Sequence, residues 1–266
     1  MTSHSKLYFS DDFSPGKAED YTLLIQIRST DFSFAVVFQN TLLAWGNGYP
    51  LSELVSPTDF VNFLNPAADY QKVIIGITPL VFNIIPKQLY QEKHRANLGK
   101  LLDVNETDKI YIQTIDTENQ VVFKDSDEIL PTLRTRYPYH HVVFAYKGWL
   151  GAIAKATPGP ANLYLDVQAN EVHFAYFKEN KLRFYNSFKY TGPAELVYFT
   201  ALTANELQLN PVDTRLVISG DADVSLGNLN EFFSHIDINP IEQLQQLPND
   251  ITAQQLLSLT ALMLCA

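Results

Sequence analysis

Two stretches of the chain distribute apolar and polar positions in nearly the same way. Residues 21–39 read Tyr-Thr-Leu-Leu-Ile-Gln-Ile-Arg-Ser-Thr-Asp-Phe-Ser-Phe-Ala-Val-Val-Phe-Gln. That is the pattern of a strand, a short polar turn and a second strand, and residues 41–45 supply a third. Residues 161–178 repeat the pattern. A shift of 140 positions superposes Leu23 on Leu163, Ile25 on Leu165, Ile27 on Val167, Asp31 on Glu171, Phe34 on Phe174 and Ala35 on Ala175. The agreement lies in pattern more than in identity.

The following segments keep the same order. Ser56-Pro57-Thr58-Asp59 has the form of a helix start, with Ser56 as N-cap, Pro57 at the first helical position and Asp59 closing a capping box. Phe60, Phe63 and Leu64 then share one helical face. Lys72-Val-Ile-Ile-Gly-Ile77 is a continuous apolar run, suited to a strand buried on both faces. In the second half, 182–190 supplies the third strand, Thr191-Gly-Pro-Ala-Glu195 opens a helix through Leu209, and Arg215-Leu-Val-Ile-Ser219 is the matching buried strand. The expected architecture is a duplicated β-β-β-α-β unit.

Between the halves, 78–157 is less regular. Residues 108–124 form a hairpin closed at Thr117–Asn119, followed by a helix over 127–136 and a strand over 141–146. Pro158-Gly159-Pro160 interrupts helix and ladder alike, which places the boundary there. Two lobes follow: 1–157, containing the hairpin insertion, and 158–266.

Tandem β-β-β-α-β units resemble the actin-like ATPase fold, a ribonuclease H-like α/β architecture with mixed sheets shared by actin, sugar kinases and Hsp70-type chaperones. Ile74-Ile-Gly-Ile77, Phe82-Asn-Ile-Ile-Pro86, Asn186-Ser-Phe-Lys-Tyr190 and the helix bearing Tyr198-Phe199 resemble an uncharacterised Bacteroidetes family of that fold. A more distant similarity of layout is to the pilus and type II secretion assembly proteins that use the fold as a scaffold.

That resemblance implies where a nucleotide would sit. In actin-like ATPases each half begins with a strand ending in Asp-X-Gly. The glycine permits the positive φ that aims successive backbone N–H groups at a phosphate, and the Asp works with a divalent cation and water. Here the first turn reads Gln26-Ile27-Arg28 and the second Asp166-Val167-Gln168, so Gly is lost twice and the carboxylate once. Ser219-Gly220-Asp221 retains one Gly where nucleotide-binding relatives carry two. The candidate ligand-binding residues of this degenerate cleft are Arg28, Asp166, Gln168, Gly220 and Asp221. Arg28 is a potential bidentate phosphate ligand, yet it does not replace the carboxylate missing at Gln26.

Composition narrows the alternatives. The 266 residues carry 19 Lys+Arg against 29 Asp+Glu, a net charge of −10, which disfavours nucleic acid as partner. Cys265 is the only cysteine, so disulfide frameworks and Cys-rich zinc modules are excluded. His140-His141 would point to opposite faces of a strand, Asp221-Ala-Asp223 is a short loop pair, and Cys265 lies in an apolar tail suited to packing. No catalytic residue, metal site or cofactor is assigned. Residues 1–16 lack the apolar core of a signal peptide and no run approaches the length of a membrane span, so the expectation is a cytoplasmic protein without membrane insertion. The expected role is a catalytically inactive module that binds an unidentified protein partner or acts as an assembly scaffold. The alternative is a divergent ATPase or kinase with degenerate phosphate loops.

Overall fold

The computed structural model describes residues 6–56, 69–104, 108–125, 129–137, 140–221 and 226–265. The chain divides into two compact units. One comprises 1–148, 244–247 and 259–266; the other comprises 149–243 and 248–258.

In the first unit the strands are β1 (Lys6–Phe9), β2 (Thr22–Ile27), β3 (Asp31–Phe38), β4 (Thr41–Pro50), β5 (Lys72–Ile77), β6 (Phe82–Pro86), β7 (Lys109–Thr114), β8 (Asn119–Asp125) and β9 (His140–Phe144). Six of them form a sheet in the order β1-β4-β3-β2-β5-β9, and β6-β8-β7 form a small separate sheet. The β2-β3-β4 meander is antiparallel, whereas β2-β5 and β5-β9 are parallel. Short helices α1 (Ser52–Val55), α2 (Arg95–Lys100) and α3 (Ile129–Arg136) fill the connections. The helix expected from Ser56 falls on 57–68, outside the described residues; Ser56 itself closes α1, its N–H donating to Ser52 O. Leu23–Ile27 and Val73–Ile77 are buried throughout, as continuous apolar runs require in central parallel strands.

The strand expected over 141–146 ends at Phe144, and α4 (Tyr146–Lys155) begins two residues later. Tyr146, Trp149, Leu150 and Ile153 are buried at helical spacing, but Gly148 and Gly151 between them weaken the sequence signal. Gly148 is there for a tertiary reason: a Cβ on it would lie 2.0 Å from Ala261 O. The chain passes from one unit to the other within α4.

The second unit contains β10 (Asn162–Val167), β11 (Glu171–Lys178), β12 (Lys181–Lys189), β13 (Arg215–Gly220) and β14 (His235–Ile238), ordered β12-β11-β10-β13-β14. The order and sense of β4-β3-β2-β5-β9 recur strand for strand. Helix α5 (Pro193–Glu206) opens as expected, with the Thr191 N–H and Oγ1 donating to Glu195 Oε2 at 2.7 and 3.0 Å. Its core gathers Leu163, Leu165, Phe174, Leu196, Leu216, Ile218 and Phe233. Each such side chain stabilises the unit by about 1.5–3 kcal/mol when withdrawn from water.

After the short α6 (Leu226–Leu229), the apolar tail forms α7 (Ala253–Thr260) and a 3₁₀ turn over Ala261–Cys265. Leu256, Leu257, Leu259, Ala261 and Leu262 are buried, so the tail packs as core. In the first unit Leu262 seats against Gly76, where a Cβ would come within 2.8 Å of its Cδ2. No helix among the described residues is long and apolar enough to cross a membrane.

Candidate functional site

In each of the two larger sheets a tight turn joins the first antiparallel pair and carries Arg28 or Gln168 at its start. In the first unit Arg28 N donates to Asp31 O at 2.9 Å, leaving Ser29 and Thr30 as a two-residue loop. In the second, Gln168 N donates to Glu171 O at 2.8 Å around Ala169 and Asn170. The neighbouring parallel strand is tied down alike, through Thr78 N to Ile27 O at 2.8 Å and Asp221 N to Val167 O at 2.6 Å.

A phosphate-cradling nest alternates right- and left-handed backbone, so that successive N–H groups converge on one anion. Among the described residues positive φ occurs at Gln39, Asp103, Thr157, Glu179, Asn180, Gln208, Gly48 and Gly220, and at no position in either turn. Both turns are therefore ordinary hairpins whose leading N–H is spent on the partner strand.

The side chains are likewise committed within their own units. Arg28 is nine-tenths buried and donates through Nε to Asp31 Oδ1 at 2.7 Å. Its Nη2 donates to the same carboxylate, to Ser33 Oγ at 2.8 Å and to Asn47 Oδ1 at 3.1 Å. The guanidinium thus staples the turn to β3 and β4. Gln26, buried beneath it, pairs in register with Ser33 on one side and Gly76 on the other.

In the second unit the fold brings Asp166, Gln168, Gly220 and Asp221 together, while Arg28 belongs to the first unit. Asp166 is fully buried and its Oδ2 accepts from Gln168 Nε2 at 2.7 Å. Gly220 stands opposite Val167 with φ +84, and a Cβ there would lie 2.1 Å from Val167 O. Its glycine identity is explained by this contact within the sheet. Tyr190 donates through its hydroxyl to Gln168 O. Burial, helped by the Asp221 charge, pushes its phenol up to about 12.

Two further polar residues, His173 and Ser219, join this row, and Tyr185 bonds to His173. Asp166 pairs in register with His173 on β11 and with Ser219 on β13. His173 Nδ1 is 2.9 Å from Tyr185 OH, and its Nε2 is 3.7 Å from Glu171 Oε2. Ser219 Oγ donates to Leu165 O at 3.0 Å and accepts from Trp149 Nε1 at 3.1 Å. Burial, with Glu171 and Asp166 as lesser contributors, holds the Tyr185 phenol well above its ordinary range. Sequence spacing alone passes over His173 because it matches no ligand motif. The hairpin register finds it: a two-residue turn pairing Gln168 with Glu171 must pair Asp166 with His173.

The remaining candidates stay apart. His140 Nδ1 contacts Tyr137 O, His141 is exposed, and Asp223 lies outside the described residues. Among the described residues no three His, Cys, Asp or Glu side chains gather as metal ligands. Cys265 is half-buried, and burial raises its thiol pKa, opposite to what a nucleophile needs.

Residues 10–236 match the family described as "Protein of unknown function (DUF3822)". The chain belongs to this family. A Bacteroides thetaiotaomicron protein of unknown function with an actin-like ATPase fold superposes on this DUF3822 member with a TM-score of 0.73 at 17% identity, covering 94% of this chain and 98% of that one. The filament structure of AlfA from B. subtilis plasmid pLS32 is similar at a TM-score of 0.48 and 12% identity, over 92% and 98% of the two chains. The activator of 2-hydroxyisocaproyl-CoA dehydratase from Clostridium difficile, with bound ADPNP, gives 0.46 and 8% identity over 92% and 94%. No curated protein matches the chain. The first of these likenesses shows the fold: this DUF3822 chain has the actin-like ATPase fold.

Proposed function

We propose that this chain is a catalytically silent module of the actin-like ATPase fold that binds a protein partner or organises an assembly. The observation that carries it is the state of the two hairpin turns. Neither contains the positive-φ residue that a phosphate nest needs, and the leading N–H of each is bonded to its own hairpin. Arg28, the one cation among the candidate residues, is neutralised by Asp31 and held by Ser33 and Asn47. A fold can outlive its chemistry, so the architecture by itself is no argument for nucleotide turnover. The recurring register, with Asp166 where Gln26 stands and Gln168 where Arg28 stands, supports two lobes, 1–157 and 158–266, descended from one duplicated unit. The net charge of −10 favours protein over nucleic acid as the partner.

Isothermal titration with ATP and ADP in the presence of Mg²⁺ tests this directly. The expected result is no saturable heat up to millimolar nucleotide. Micromolar binding, abolished by Asp166→Ala in a protein that still folds, would overturn it.

A further inference from the structure

The two sheets differ at one edge. In the first unit the outer side of β4 is covered by β1, which pairs antiparallel with it through Lys6↔Asn47, Leu7↔Gly46, Tyr8↔Trp45 and Phe9↔Ala44. β12 holds the corresponding place in the second sheet, and the shift of 140 carries Ala44–Asn47 onto Phe184–Ser187. Among the described residues no strand covers β12 on that side. The strand is nine residues long, enough for an added strand to form several ladder hydrogen bonds.

Its side chains describe a partner. On the face toward α5, Phe184 and Phe188 are only partly buried. Phe188 stacks on Phe199 at 4.7 Å, and Tyr198, which is 59% exposed, meets Phe199 edge-on at 5.3 Å. This aromatic shelf lies beside the open edge and offers apolar contact at Phe184 and Phe188, on either side of Asn186 on the same face. The charges there run against those of the whole protein: Lys181, Arg183 and Lys189 on β12 and Lys178 on β11 are exposed, against Glu179 in the turn and Glu171 opposite Lys189, in a chain of net charge −10. Two copies paired through β12 would set these lysines against each other, which is how natural edges avoid self-association. An acidic segment meets the opposite condition.

We infer that the outer edge of β12 is the docking site of the partner: an extended, acidic peptide segment that adds as a strand, with alternate apolar side chains on the Phe184–Phe188 shelf. This rests on the scaffold reading in taking a protein segment as the ligand. Strand addition supplies the main-chain hydrogen bonds, the shelf supplies apolar contact, and the basic rim selects charge.

The test uses the full chain and two arrays of ten-residue peptides, both alternating an apolar residue with a charged one, acidic in one array and basic in the other. Saturable binding is expected from the acidic array alone, weakening as salt rises from 50 to 300 mM. On binding, amide hydrogen exchange should slow at residues 183–188. Lys178→Glu with Lys189→Glu should weaken the best acidic peptide on the order of tenfold. Lys17→Glu with Lys100→Glu, of equal charge change but remote in sequence and in the other unit, should leave it unchanged. Binding by neither array, equal binding by both, or protection away from β12 overturns the inference, as does dimerisation of the free chain through this edge. These failures are separate from that of the scaffold reading, which falls to nucleotide binding in the calorimeter.

Discussion

The two hairpin turns share a backbone and differ in what fills it. At the first, a cation is drawn into the turn and neutralised: Arg28 reaches Asp31, Ser33 and Asn47, and Gln26 beneath it is uncharged. At the second the ionisable group sits lower and is a carboxyl, since Asp166 is fully buried and Gln168 bends back to donate to it. The row behind Gln26 is Ser33 and Gly76, whereas the row behind Asp166 is His173 and Ser219, with the Tyr185 hydroxyl bonded to His173. One scaffold therefore tolerates either polarity, provided each buried charge finds a donor or acceptor on its own sheet. In both turns the leading N–H and the Arg28 or Gln168 side chain that a phosphate would engage are bonded from within, whereas the buried Gln26 Nε2 has no hydrogen-bond partner among the described residues.

The most severe way to break this parallel is Gly220→Ala. The substitution meets Val167 O at 2.1 Å in a backbone with φ +84, so strand separation and left-handed strain act together. A loss of about 3 kcal/mol or more is expected in urea unfolding. Gly76→Ala, on the matching strand of the first unit, meets chiefly the movable Leu262 side chain, with the Ala145 Cα at 3.2 Å behind it, and should cost about 1–2 kcal/mol. Equal losses would show that the two central parallel pairs are not distinguished by their glycines.

Removing the polar fill comes next. Arg28→Ala leaves Asp31, Ser33 and Asn47 without their shared donor and should destabilise by about 2 kcal/mol. Gln168→Ala removes one donor from buried Asp166 and should cost about 1–2 kcal/mol, recovered by Asp166→Asn in the double variant. A loss from Gln168→Ala that persists unchanged in the Asp166→Asn background would mean that the pair is not coupled.

The smallest effect concerns alkaline pH. Tyr137 in the first unit and Tyr190 in the second are each pushed up to about 12 by burial, against 10.0 for the free phenol. The unfolded chain ionises first, so this contribution is full below pH 10 and is lost as pH rises toward 12. Tyr137→Phe and Tyr190→Phe should each flatten the fall of stability over that window. An unaltered slope for either would show that its phenol titrates alike in folded and unfolded chains.

Much of the fold was legible in the sequence because it rests on local pattern. The β2-β3 and β10-β11 hairpins follow from alternation and short polar turns, the central strands β5 and β13 from continuous apolar runs, and α5 from Thr191 and Glu195. The short edge strands β1 and β14 left no comparable signal, since their pairing is set by what lies beside them. Helix α4 was hidden because Gly148 answers to Ala261, more than a hundred residues away in sequence, and not to its own helix.

The candidate site divides along the same line. The sequence by itself determined that both turns lack the glycine of a phosphate loop and that Asp166 and Gln168 replace Gln26 and Arg28 at the same register. Only the tertiary structure decided that Arg28 is turned inward onto Asn47, that Gly220 serves Val167, and that His173 and Ser219 line up with Asp166 while Tyr185 bonds to His173. The physical reason is that periodicity reports which face a residue occupies. The partner it meets on that face depends on which strands lie side by side, and strands remote in the chain are brought together only when the whole sheet closes.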